Sequence, residues 1–158
     1  MRITTKGRYA IRAITNLALS EASRPKPIKT IAKEEDISPE FLEQIFFRLK
    51  KTGMISSVRG PGGGFKLARD PKEISVKEIF KAVGEGIDLT PCTTVQPEED
   101  LLPKNPNAYT ASGCTRTEKC LVHDVWQEAS EHFNQYFTQM TLDKIISSVD
   151  PQRLEMIK

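Results

Sequence analysis

The chain has 158 residues, 23 Lys and Arg against 21 Asp and Glu, a net charge of +2, three cysteines and two histidines. That length supports one domain with a real core, or one small domain plus an appended element, without disulfide staples. Arg12 and Asn16 interrupt the apolar stretch 9–19, and no uncharged apolar run is long enough for a bilayer. Neither an export signal nor a membrane span is expected, and the chain is expected to be cytoplasmic. Thiols stay reduced there, so an odd set of three cysteines suits metal binding or redox sensing better than bridges. The near-neutral total hides a polarity: residues 1–70 carry 14 basic and 7 acidic side chains, whereas 71–158 carry 9 and 14. A basic first half points to a polyanion partner.

In chain order, Ala10, Ile11, Ala13, Ile14, Leu17 and Ala18 recur at the spacing of one buried helix face, which predicts a helix over 5–21. After the breaker "SRPKP", Ile28, Ile31, Ala32 and Ile37 mark a second, short helix. The third opens with Ser38 as N-cap and Pro39 at the first helical position, carries Leu42, Ile45, Phe46 and Leu49 inward, and stops at Gly53. Two short alternating runs, 55–58 and 65–68, flank the tip Arg59–Gly60–Pro61–Gly62–Gly63–Gly64 and predict a hairpin. Ser75-x-x-Glu78 is a capping box for a fourth helix ending at Gly84.

Helix, helix, helix, hairpin is the order of a winged helix-turn-helix, in which the third helix enters the DNA major groove and the hairpin wing lies beside it. On that helix Glu40, Glu43, Gln44, Arg48, Lys50 and Lys51 are free of the core pattern. Gln44 matches an adenine edge, Arg48 a guanine or phosphate, and Glu43 a cytosine amine, although each position equally fits a solvated helix face. Arg2, Lys6, Arg8, Arg12, Lys29, Lys33, Arg59 and Lys66 supply phosphate-neutralising charge. Arg59, followed by Gly60 in a tip nearly free of side chains, is placed to approach a narrow minor groove. The tip lacks the G-K-[ST] of a phosphate-binding loop and sits between two strands, so nucleotide binding is not expected.

Residues 88–117 are proline-rich and aperiodic and read as a loop. Beyond it Val122, Val125, Trp126, Ala129, Phe133, Tyr136, Phe137 and Met140 recur every three or four residues, a stripe that predicts a long helix from Glu118 pairing with a second copy of the chain. Its competing reading is packing on its own first helix. A last short helix follows Thr141. The fold class expected is mainly α with a small β-hairpin wing. Its three parts are a DNA-binding unit over 1–84, a loop over 85–117, and a dimerisation helix with a short terminal helix over 118–158.

"CTRTEKCLVHDVW" places Cys114, Cys120 and His123 within ten positions. With Thr117 as N-cap, Cys120 would fall in the first turn of the long helix and His123 on the same face. Soft thiolates with one imidazole suit zinc or an iron-sulfur cluster, but Cys-x5-Cys-x2-His matches neither a zinc finger nor a ferredoxin run. Catalysis by Cys120 with His123 as base has no orienting residue or oxyanion loop to support it, and no enzyme activity is expected.

Together, "MRITTKGRYAIRAITNLA", "SPEFLEQIFFRLKKTGMISSVRGPGGGFKLAR", "CTRTEKCLVHDVW" and "MTLDKIISSV" resemble the IscR family of winged-helix, iron-sulfur cluster regulators over nearly the whole chain except 93–113. The resemblance implies a homodimeric transcription regulator, often a repressor, that binds double-stranded DNA and controls cluster-assembly genes. It further implies a cluster, usually [2Fe-2S], with Cys92, Cys114, Cys120 and His123 as ligands, and contact with cluster-assembly proteins. One departure is the 21 residues between Cys92 and Cys114, where the family usually has few. Closure cost grows only logarithmically with loop length, so the insertion is compatible with a shared site, with Glu98, Glu99 and Asp100 as competing donors. Related nitric-oxide-sensing regulators draw an aspartate from near the N-terminus, where this chain has Arg8. A winged-helix protein with structural zinc, or a nitric-oxide- or redox-responsive repressor of the same family, are the alternatives.

Overall fold

The computed structural model describes residues 3–20, 24–87, 89–93, 114, 116–150 and 152. Helix α1, Thr5–Ala18, presents Ala10, Ala13, Ile14 and Leu17 to the core, all at most 4% exposed. Gly7 lets its N-terminal turn press against the next layer: a Cβ there would lie 2.9 Å from Glu85 Cγ and 3.2 Å from Phe80 Cε1. Helix α2, Ile28–Glu35, ends at Asp36, which takes the left-handed conformation (φ 52°) and lets the Ile37 amide return to the Ala32 carbonyl. Helix α3, Pro39–Lys51, starts as its residues dictate, with the Ser38 hydroxyl accepting the Phe41 amide at 3.2 Å. Leu42, Ile45, Phe46 and Leu49 bury its inner face, and Phe46 packs edge-on against Phe65 at 5.0 Å.

Strands β1, Ile55–Val58, and β2, Gly64–Leu67, pair antiparallel with Ile55 opposite Leu67 and Val58 opposite Gly64. The far edge of β2 is also paired. Lys26 and Phe65 exchange two backbone hydrogen bonds of 2.8 Å, which ties the segment before α2 to the wing. Gly64 makes that approach possible, because a Cβ there would lie 2.3 Å from the Lys26 carbonyl oxygen.

Helix α4, Val76–Val83, carries the full capping box of Ser75 and Glu78 and stops at Gly84 (φ 77°). Burial opposes ionisation of Glu78, but hydrogen bonds from Ser75 and Arg69 outweigh it and hold the carboxyl below its ordinary value. Helix α5, His123–Gln139, leans on α4 only through its C-terminal half, where Phe137 meets Phe80 edge-on at 5.4 Å. Helix α6, Leu142–Ser148, is capped by Thr141 and packs back on the main core. Its Leu142 is fully buried there, and two backbone hydrogen bonds, Val76 N–H to Met140 and Leu142 N–H to Ile74, tie the start of α4 to the α5–α6 junction.

One polar cluster is nearly buried between α1 and α2. Asn16, 4% exposed, donates to Glu34 at 2.9 Å and Glu35 at 2.8 Å and accepts from the Lys26 ammonium at 2.7 Å, while Lys26 pairs with Glu34 at 2.5 Å. Burial would raise the Glu34 carboxyl; the bonds from Lys26 and Asn16 more than reverse this and keep it below the usual carboxylate value. Every polar atom of Asn16's amide is thereby matched, as a buried amide requires. No helix among the described residues is long and apolar enough to cross a membrane.

Candidate functional site

Two sites emerge, one on the outer face of α3 with the wing, the other where the chain returns into α5. With the i, i+3, i+4 rows of α3 committed to the core, the opposite rows bring Glu40, Glu43, Gln44, Phe47 and Arg48 together along one shallow, open groove. Glu40, Glu43 and Gln44 are exposed, and Arg48 is half-buried beside Lys6 from α1. Burial lowers the Lys6 ammonium below its ordinary 10.5, Arg48 lowers it further, and Glu85 opposes both. An incoming phosphate would offset the like charge of Lys6 and Arg48. Lys50 donates to Ser57 at 2.7 Å and braces the end of α3 against β1.

The wing carries Arg59 and Gly60 exposed at its tip and Lys66 exposed on β2. Gly60 has φ 101° and Gly62 φ 75°, backbone that residues with side chains rarely adopt, so the tip is thin because its turn demands glycine. Arg2 lies outside the described residues. Arg12, expected among the phosphate contacts, is held by Glu35 at 3.0 Å and also reaches the Glu35 carbonyl, so its charge serves the α1–α2 joint. Sequence reasoning missed Phe47, which is 62% exposed in the middle of the groove with the Lys51 ammonium 5.2 Å from its ring centroid. The signal was available: with Phe46 inward, the next residue turns to the outer face.

At the second site the long helix starts later than expected. Residues Thr117–Lys119 form a 3-10 turn, Cys120 is extended at φ −87°, ψ 112°, and α5 begins at His123. Thr117 does not cap it, because it lies inside the 3-10 turn six residues before α5, where its amide and its hydroxyl both donate to the Cys114 carbonyl, at 3.1 and 2.7 Å. Cys120 thus precedes the helix, its carbonyl accepting the His123 amide at 3.3 Å. Cys92 sits in another 3-10 turn, Pro91–Thr93, with its sulfur 3.1 Å from the Thr90 hydroxyl. The Ser130 hydroxyl donates to Thr93 at 2.9 Å and pins that turn to α5. Ser130 lies seven residues after His123, on the same helix face and roughly 10 Å along the axis.

Cys92, Cys114 and Cys120 are free thiols, Cys92 and Cys120 half-buried and Cys114 exposed. His123 Nδ1 is buried with no hydrogen-bond partner among the described residues. A buried ring nitrogen without a partner, in a chain whose three cysteines are free thiols, has the donor chemistry of a soft metal centre, since ligation would satisfy it. The four are not gathered into one set: among the described residues no group of three or more His, Cys, Asp or Glu is close enough to hold an ion. Residues 94–113, which separate Cys92 from Cys114 and include Glu98, Glu99 and Asp100, lie outside the described residues.

Comparison with known proteins gives the family and the fold. A family model described as Rrf2, iron-dependent transcriptional regulator, matches residues 3–148. The HTH-type transcriptional regulator IscR of Klebsiella pneumoniae (strain 342) is 37% identical over 148 residues, covering 94% of this chain and 81% of that one. Among solved structures, CymR, the global cysteine regulator of B. subtilis, superposes with a TM-score of 0.68 at 25% identity, over 95% of this chain and 99% of that one. IscR of T. potens superposes at 0.69 with 24% identity, over 97% and 91%.

Proposed function

The chain belongs to the Rrf2 family of iron-dependent transcriptional regulators, and on that premise we propose that it binds double-stranded DNA as a homodimer and senses iron-sulfur cluster status to control cluster-biogenesis genes. The DNA is read by the outer face of α3 and the wing: Gln44, Glu43 and Glu40 at base edges, Arg48 and Lys66 at phosphates, and Arg59 with Gly60, joined by Arg2, toward the minor groove.

Cys92, Cys114, Cys120 and His123 are the residues that would hold a [2Fe-2S] cluster, which when bound supplies an oxygen- and redox-labile group whose presence reports the cell's cluster supply. The observation that carries the sensor reading is the buried His123 Nδ1, without a partner among the described residues, in a chain whose three cysteines are free thiols. His123 is the first residue of α5, and the Cys92 turn is tied to the same helix through Thr93 and Ser130. Phe137 of α5 packs on Phe80 of α4, and α4 shares its core with α3 through Ile79, Leu42 and Phe46. Drawing Cys92, Cys114 and Cys120 toward His123 thus acts on a helix that is packed, through α4, against the DNA-reading one.

The same helix offers the dimer seam. Val122, Val125, Trp126, Phe133 and Tyr136 are 39–60% exposed, while only Ser130 of α5 is buried. Among the described residues nothing covers this apolar stripe, and it fits a second copy about a twofold axis.

Purification without oxygen tests the sensor reading. Visible thiolate-to-iron absorption with equal iron and acid-labile sulfide is the expected outcome; a colourless protein with stoichiometric zinc would replace it with a structural metal site.

A further inference from the structure

We propose that Phe47 is a specificity-determining residue of the DNA-binding face, its ring seating the 5-methyl group of a thymine next to the base met by Gln44. Phe47 stands apart from the other aromatics of the winged-helix unit. Tyr9, Phe41, Phe46, Phe65 and Phe80 are buried or half-buried, whereas Phe47 is 62% exposed. Most of the Phe47 ring is left in water, so a partner that covers it in the working complex gains its burial energy.

Position and surroundings identify the cover. Phe47 is three residues after Gln44 and four after Glu43, and it shares their groove. The groove belongs to the helix proposed to enter the major groove, so the inference rests on that reading. Thymine presents the only apolar group among the four base edges there, and a phenyl ring is one of the side chains suited to it. The Lys51 ammonium, 5.2 Å from the ring centroid, holds a positive charge against the phenyl and suits a phosphate flank better than an apolar protein partner.

The test uses the full chain and a random pool of duplex DNA. Sequences recovered by the wild-type protein are measured by fluorescence anisotropy, then remeasured with single thymines replaced by deoxyuridine, which removes the methyl and keeps every hydrogen bond. At least one position in each half-site should lose roughly fourfold in affinity, the value of one buried methyl. Phe47→Ala should bind the recovered sequence about fivefold or more weaker and lose that sensitivity. Its salt dependence should match the wild type, since no phosphate contact is removed. Deoxyuridine without effect anywhere, or an effect that persists in Phe47→Ala, would overturn the proposal while leaving DNA binding intact. A change in oligomeric state with unaltered DNA preference would overturn it in favour of a protein contact. A pool that yields no preferred sequence with wild-type protein would remove the DNA-reading function itself, and this inference with it. The deoxyuridine scan on wild-type protein needs no variant and stands even if Phe47→Ala folds poorly.

Discussion

Cys120→Ala is expected to give a folded, colourless protein that carries no iron or acid-labile sulfide and still binds DNA. The fold should survive because Cys120 adds nothing to the hydrophobic core, and its local hydrogen bonds, from its own amide to Thr117 and from His123 to its carbonyl, are main-chain. Metal retention should not survive. Loss of an outer-shell partner typically costs about 10–100-fold in affinity, and removal of a thiolate ligand costs more. His123→Ala should act in the same direction and, by removing a buried ring nitrogen without a partner, cost little stability. Anaerobic metal and sulfide analysis with a thermal melt checks both. Full cluster content in Cys120→Ala would remove it from the ligand set, and loss of zinc instead would identify a structural site.

Trp126→Asp is expected to convert a dimer into a monomer and to weaken binding to a two-half-site operator by about 100-fold or more. The residue is 42% exposed in one subunit, between Val122 and Val125 on one side and Phe133 on the other. A carboxylate at the middle of a paired apolar seam would be buried twice about the twofold axis, with no described cation on that stripe to match it. Two recognition helices joined through the seam bind their half-sites cooperatively, an advantage of roughly 10²–10⁴ that separate monomers lose. Binding of one copy to unrelated duplex should change little, because the basic face of α3 is elsewhere. Light scattering gives the mass. A melting temperature that depends on protein concentration in the wild type but not in the variant would confirm that the seam, rather than the subunit core, was altered. A Trp126→Asp protein that remains dimeric would place the interface on another surface.

The parts of this molecule that were legible in the sequence are those set by neighbours in the chain. Ser38 with Pro39, the Ser75–Glu78 box, Gly84 and Thr141 each mark a helix end through bonds that span three or four residues, and each stands where the pattern placed it. The pairings of Lys26 with Phe65 and Ser75 with Thr141 were not legible, because a single bridged residue leaves no alternating run. The start of α5 was misread for a related reason. Thr117 is a good cap by type, but its amide and hydroxyl close a tight 3-10 turn on the Cys114 carbonyl, and the helix starts only at His123.

The stripe on α5 was read as one surface, yet the structure divides it. Phe137 and Met140 close on α4 of the same chain, and the preceding aromatics stay open. At the DNA face, periodicity sorted Glu40, Glu43, Gln44 and Arg48 outward but let Phe47 pass, because an aromatic next to a core position is easily counted with the core. The proposed thiolate ligands are not gathered among the described residues, and residues 94–113, between Cys92 and Cys114, lie outside them.

The most direct test of the account is to select duplexes from a random pool with cluster-loaded protein and with the same protein after cluster removal, and to measure both forms on both sets of recovered sequences. The account predicts that the two forms prefer different sequences, or bind a shared one with clearly different affinity, and that Cys120→Ala behaves as the cluster-free form. Identical preferences and affinities for loaded and cluster-free protein would contradict it, leaving a DNA-binding regulator whose cluster does not govern what it reads.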